Sequence, residues 1–315
     1  MKPFRNILLG LDASDLDPLL IKFASFMSRS NPTRAFYFVN IIKHMKVPKE
    51  VRKEFPEIVE AALKDRKSHI NDSIRENLVM HPDSTSKVIV KNGDPAKEIL
   101  KLIEQLDIDL IVMGKKPSAE SSGVVLHQVA RRADCNLLIV PKGGDAVLND
   151  LRTSRKLLVA NDYSNHSELA MEHAVNMALN SDTKKTIEIY CQHVYTVPTG
   201  YHYTGKTYEE FAEIMRNNAE KSYKKFIKKI DIKGSKIIPV YSLETHGHLV
   251  SSIYRMAVEI NADVIIFGAR GVSSTTAIFI GSFAEKMLKI DSTIPLLVVR
   301  TKGDNVGFLE YIRKF

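Results

Sequence analysis

Gly268 and Gly271 stand three residues apart, nine residues separate Gly271 from Gly281, and Ser282 follows at once. Glycine lets backbone approach a ligand without a Cβ in the way. A second glycine three residues on keeps the chain turning, so that successive amides can face an anion. Gly281 and Ser282 open the segment SFAEKMLKI, whose helical pattern brings unbonded N–H groups and a positive dipole end, with the Ser282 hydroxyl beside them. A loop built this way at both ends can hold phosphate oxygens between them. The same residues also fit a plain turn followed by a serine cap, which needs no ligand.

Other chemistry is less well supported. There is no G-x-S-x-G, no Walker A and no pair of carboxylates that can be placed together, so binding is favoured over turnover. His246 and His248 form H-x-H before a helical pattern. A metal site needs three or four ligands, and neither cysteines nor clustered carboxylates lie near, so these read as loop histidines. Cys135 and Cys191 border β-like apolar runs and read as buried, reduced thiols. Tyr201, His202 and Tyr203 can close over a nucleotide base, but packing onto their own helix is the favoured reading.

The elements that position the glycine loop occur twice. FRNILLGLDASDLDPLLIKFASFM (4–27) lies over SRKLLVANDYSNHSELAMEHAVNM (154–177), so Asp12 meets Asp162. NGDPAKEILKLIEQLDIDLIVMG (92–114) lies over HGHLVSSIYRMAVEINADVIIFG (246–268), so Asp109 meets Asp263 and Gly114 meets Gly268. Strands are expected at NILLGL, AFYFVNI, KVIV, DLIVM and NLLIV, and again at KLLVA, IEIYCQHV, KIIPV, DVIIF and PLLVV. Most are apolar on both faces, as in parallel strands covered by helices on each side. Amphipathic helices between them, such as 18–29 and 95–106, complete the alternation. The expected fold class is α/β, with two tandem doubly wound domains, each a parallel sheet flanked by helices. The expected boundaries are 1–145, a linker at 146–153, a second domain at 154–303, and a helical tail at 304–315 with Phe308, Leu309, Ile312 and Phe315 at helical spacing. That tail is expected to dock on the body or on a second chain.

Composition agrees. Hydrophobic content of 44% and charged content of 26% suit a soluble globular chain. The net charge of +8 is spread along helix-like segments such as EKSYKKFIKKI, so a solvated face is favoured over a nucleic-acid surface. No stretch has the length of a membrane span, and the first apolar run is too short for a signal peptide, which gives a cytoplasmic expectation.

The spacing Gly268, Gly271, Gly281, Ser282, the GDPAKEIL and DLIVMG segments and the doubled architecture together resemble the universal stress protein family in its tandem form. The match to the family's G-x₂-G-x₉-G-[ST] motif holds at every position. The resemblance implies five parallel strands per domain in order 3-2-1-4-5, with ATP, alone or with Mg2+, in the second domain. It implies that Ala160, Asn161 and Asp162 hold the adenosine, with Asp162 accepting from a ribose hydroxyl or an adenine amine. His193 and Val194 would line the adenine pocket. Gly268, Ala269, Arg270 and Gly271, with the amides of Gly281, Ser282 and Phe283, would surround the phosphates, and Arg270 would offset their charge. Asn161 stands where many members have Thr.

The first copy departs from this motif. Pro117 occupies the place of Gly271, Gly123 follows six residues later, and Val124 replaces the serine. Proline has no N–H to offer, and the shortened loop cannot surround a triphosphate in the same way. Asp12 alone reads as a cap for the helix that follows. The implied function is an ATP-binding stress-response regulator with one nucleotide site and little or no hydrolysis. Two alternatives stay open: a slow ATPase or nucleotide transferase, and a structural or assembly module that binds no nucleotide. Family domains commonly pair through their last strands, so an intramolecular pseudo-dimer through NLLIV and PLLVV is expected, with a homodimer through the tail as a further association.

Overall fold

The computed structural model describes residues 4–30, 33–45, 47–118, 120, 123–148, 154–179, 186–245, 247–271 and 280–302. The tail at 304–315, residues 149–153 of the linker, residues 272–279 of the glycine loop and His246 lie outside the described residues. The chain divides into two compact units, with the break after Leu148.

The first unit runs β1 (Asn6–Leu11), α1 (Asp17–Ser30), β2 (Ala35–Lys43), α2 (Lys49–Glu54), α3 (Ile58–Asn77), β3 (Thr85–Gly93), α4 (Pro95–Gln105), β4 (Leu110–Lys115), α5 (Val124–Arg132) and β5 (Asn136–Pro141). Its parallel strands stand in the order β3-β2-β1-β4-β5. Ile7, Leu8, Leu9, Ile111 and Leu137 are fully buried, as expected of central strands covered on both faces. Local signals set the helix ends. Pro95 opens α4, and the Asp94 carboxylate accepts from the Lys97 amide at 2.8 Å, so a residue with no N–H to lose follows a good cap.

The second unit repeats the plan: β6 (Ser154–Ala160), α6 (Asn165–Leu179), β7 (Thr186–Thr196), α7 (Tyr208–Ile227), β8 (Lys236–Glu244), α8 (Leu249–Glu259), β9 (Val264–Gly268), α9 (Ser282–Lys289) and β10 (Leu296–Val299). The order is again third, second, first, fourth, fifth: β8-β7-β6-β9-β10, all parallel. Thr207 and Glu210 form a reciprocal capping box that starts α7. The paired aspartates have the same structural task in both units. The Asp109 carboxylate accepts from the amides of Arg5 and Asn6 at 3.0 and 2.9 Å, and the Asp263 carboxylate accepts from the Lys156 amide at 2.7 Å. Each ties the start of a unit's first strand to the residue before its fourth.

With this order, the connections on either side of the first strand run to opposite faces of the sheet. A crevice therefore opens at the carboxyl ends of β6 and β9, where the winding reverses. Both cysteines are buried and neither is in a disulfide, as expected. No helix among the described residues is long and apolar enough to cross a membrane.

Candidate functional site

A cleft of about 440 Å³ lies at that reversal point of the second unit. All twelve residues expected at a ligand site line it: Ala160, Asn161 and Asp162 after β6, His193 and Val194 within β7, Gly268 to Gly271 after β9, and Gly281 to Phe283 at the start of α9. Four separate stretches of sequence thus meet around one space.

The loop after β6 is held by its own polar groups. The Asn161 amide hydrogen goes to the Gln192 carbonyl at 2.8 Å, and the Asn161 side-chain oxygen accepts from the Tyr163 amide at 2.8 Å. Tyr163 stands at φ 65°, a left-handed turn that re-aims the chain into α6. Asp162 is exposed in the cleft. Its carboxylate accepts from the Ser167 hydroxyl at 2.7 Å and the Ser164 amide at 3.1 Å, while the Ser167 oxygen accepts from the Asp162 amide at 3.1 Å. The charged group is therefore positioned before any ligand arrives.

His193 is half-buried and stacks on Tyr163, with ring centroids 4.4 Å apart. Its Nδ1 lies 2.9 Å from the Asn161 carbonyl. A carbonyl only accepts, so Nδ1 carries the proton and Nε2 is the acceptor of the neutral ring. Burial lowers the His193 pKa, opposed by the Asn161 carbonyl and the Asp162 charge. Beneath it, burial pushes the Cys191 thiol up to about 12, against the Asn161 amide that donates to its sulfur at 3.3 Å. A thiol so far from ionising is packing, not a nucleophile.

The glycines meet protein as closely as they could meet a ligand. A Cβ on Gly268 would lie 2.5 Å from the His166 Cβ and 3.0 Å from its carbonyl atoms, so this residue is glycine to let α6 pass. A Cβ on Gly271 would lie 2.5 Å from the Asp162 Oδ2. Gly271 thus gives the carboxylate its place.

The set of phosphate-facing amides is smaller than expected. The Gly281 amide donates to the Ala269 carbonyl at 2.7 Å, and the Ala269 amide donates to the Val299 carbonyl at 2.9 Å. Both N–H groups are committed inside the protein and are not available to a phosphate; Ala269 is also buried. What remains at that end is the Arg270 and Gly271 stretch, the exposed Ser282 and the Phe283 amide. Ser282 is the first helical residue of α9, not its cap; Gly281 takes the cap position, and no side chain caps the helix. The start of α9 is therefore open on its amide side.

Ser167, Gln192, Leu249, Ile253, Phe267, Ile280 and Ala284 also line the cleft, and none was expected from the sequence. Gln192 carried a signal: an amide side chain between Cys191 and His193 in the β-like run IEIYCQHV. Ser167 did too, as the counterpart of Asp17 at the entry to the first copy's helix. The loop at 201–211 behaves as favoured: Tyr201 packs edge-on against Tyr208 of α7 at 5.6 Å, and Tyr203 is 87% exposed. Among the described residues no group of three or more His, Cys, Asp or Glu could hold a metal ion.

A model of the universal stress protein family matches this chain twice, over residues 3–141 and 153–300. The chain belongs to the universal stress protein family. Its second relation is in sequence: it is similar to Universal stress protein YxiE of Bacillus subtilis, 30% identical over 150 residues, which is 46% of this chain and 98% of that protein. A universal stress protein of Methanothermobacter thermautotrophicus is 27% identical over 143 residues, 44% of this chain and 95% of the relative. Among solved structures, a universal stress protein from Archaeoglobus fulgidus has the same fold, with a TM-score of 0.59 at 21% identity over 94% of this chain and 98% of that one. The single-copy relatives explain the doubling: this universal stress protein carries their unit twice in one chain.

Proposed function

We propose that this universal stress protein binds one adenine nucleotide, with ATP as the ligand, in the cleft of its second unit, and that it acts as a stress-response regulator that hydrolyses the nucleotide slowly or not at all. The observation that carries the reading is the convergence of four stretches, including both ends of the glycine loop, on one cleft at the winding reversal. Its volume of about 440 Å³ suits a ligand of nucleotide size. In this reading Asp162 accepts from the adenosine, His193 and Val194 flank the base, and Arg270, Gly271, Ser282 and Phe283 face the phosphates. Any Mg2+ would arrive with the phosphates.

Slow chemistry follows from where the bases stand. The ionisable groups of the lining are Asp162, His193 and Arg270. The Asp162 carboxylate already accepts from Ser164 and Ser167, and the His193 ring is tied to Asn161; in this reading both serve the adenosine. Neither is placed to activate water at a terminal phosphate. Small molecules extracted from the purified protein should include an adenine nucleotide, and phosphate release should stay far below about 10 per second, a common enzyme rate. Gly281→Val should abolish binding, because its side chain would press on the Ala269 carbonyl and Arg270 Cα, 3.2 and 3.4 Å from the Cβ position. Retained binding in that variant would refute the placement. The pairing of the two units through NLLIV and PLLVV belongs to the same proposal and rests on the sequence. Halves produced by cleavage within 143–154 should elute together on gel filtration.

A further inference from the structure

Gln192 belongs to the wall of the cleft, with 1% of its surface exposed. Its Nε2 donates to the Ser242 hydroxyl at 2.9 Å and to the Ser252 carbonyl at 3.3 Å. A backbone carbonyl accepts and never donates, so the nitrogen must face Ser252 and the orientation of the amide is determined. The other arm, Oε1, is buried and has no hydrogen-bond partner. Buried acceptors without a donor are uncommon in folded proteins, and each calls for an explanation. A hydrogen-bond donor brought into the cleft by a ligand would supply the partner that the protein does not.

We propose that Gln192 reads the nucleobase: its Oε1 accepts a hydrogen bond from an exocyclic amine, which selects a 6-aminopurine over a 6-oxopurine. This rests on the nucleotide reading above. Three features make the side chain suited to the task. Its two donor bonds prevent the amide from turning its nitrogen towards a carbonyl ligand. Leu249, Ile253 and Phe267 line the same cleft, so the contact forms among apolar groups with little water to compete. Gln192 also precedes His193, and its own carbonyl receives the Asn161 amide, so its backbone is fixed to the adenosine loop. A 6-oxo base would set acceptor against acceptor and leave both unpaired.

The test titrates the full-length protein with ATP and with inosine triphosphate, whose base has an oxygen where adenine has its amine. Wild type, Gln192→Leu and Gln192→Met are compared. Wild type should bind ATP at least about tenfold more tightly than inosine triphosphate, and the ratio should fall towards one in both variants. Damage to packing weakens both nucleotides alike and leaves their ratio unchanged, so the ratio separates reading from support. Equal affinities in wild type, or an undiminished ratio in either folded variant, overturns the proposal. If wild type binds neither triphosphate, the nucleotide reading itself fails, and this inference fails with it.

Discussion

The loops after β4 and β9 start from equivalent glycines and end at the start of a helix, yet their surroundings differ in charge and in hydrogen bonding. In the first unit, Lys116 lies 3.8 Å from Asp12 and 4.0 Å from Asp15, and Lys142 reaches Asp15 at 3.5 Å and Glu120 at 3.1 Å. In the second unit Arg270 takes the position of Lys116, Asp162 that of Asp12, and the uncharged Asn165 that of Asp15. One carboxylate has been removed from the side of the cation, so an incoming anion meets less repulsion.

The helix entry shows the same contrast. Asp17 accepts from the amides of Asp12 and Ala13 at 3.2 and 2.9 Å. Its counterpart Ser167 accepts from the Asp162 amide and also donates to the Asp162 carboxylate. An ionised Asp17 has no proton to give, and Asp12 turns to Lys116 instead of capping the helix, contrary to the sequence expectation. Burial raises the Asp17 pKa to about 6, against the two amides, with the nearby Asp12 charge adding to the rise. Gly123 and Gly281 differ as well. Gly123 caps α5 at φ 62°, where a side chain is strained, whereas Gly281 is extended at φ −64° and ψ 155°. One glycine makes a turn; the other lets backbone pass.

The sharpest way to break this comparison is at the matched glycines. Gly268→Ala puts a methyl group against the backbone of α6 and should cost about 3 kcal/mol by denaturant unfolding. Gly114→Ala meets side chains and no backbone, most closely the movable end of Leu16 at 3.1 Å, and should cost about 1 kcal/mol or less. Equal losses would remove the distinction.

Acid should act oppositely on the two units. In the native state Asp17 holds a proton up to about pH 6, whereas its reference value is 3.8. Its contribution is therefore fully present below pH 3.8 and is lost as pH rises through 6, by about 3 kcal/mol. His173, buried where the first copy has Phe23, has its pKa lowered to about 3 by burial, so its contribution is present above 6.5 and is lost as pH falls. Unfolding curves of Asp17→Asn and His173→Phe against wild type from pH 4 to 7 should show slopes of opposite sign.

Ser167→Ala should lower ATP affinity about tenfold, roughly 1.4 kcal/mol, by releasing the Asp162 carboxylate. The reverse change, Asp17→Ser, should create no binding in the first unit, because Pro117 and the shortened loop remain. The smallest effect belongs to Lys116→Met. Its partners Asp12 and Asp15 are well exposed, so stability should change by no more than about 0.5 kcal/mol in thermal unfolding.

The fold was legible because parallel strands such as DLIVM and DVIIF are apolar on both faces and recur in one register across the repeat. The lining of the candidate cleft was legible where it depends on residue type along a line: the glycine spacing, Asp162 after β6, and His193 within β7. What could not be read is which hydrogen bonds those groups already make. That the Gly281 amide belongs to Ala269, that Gly268 makes room for His166, and that Gln192 keeps an unpaired oxygen all depend on contacts between elements far apart in sequence. Ser167 and Gln192 are cleft residues for the same reason.

The central claim is that one chain carries one nucleotide site, in the second unit. Calorimetric titration of the nucleotide-free, full-length protein with ATP measures this directly. The account predicts a stoichiometry of one per chain, abolished by Gly281→Val and unchanged by Gly123→Ala in protein that remains folded. Two equivalent sites per chain, or one site that survives Gly281→Val, would contradict it.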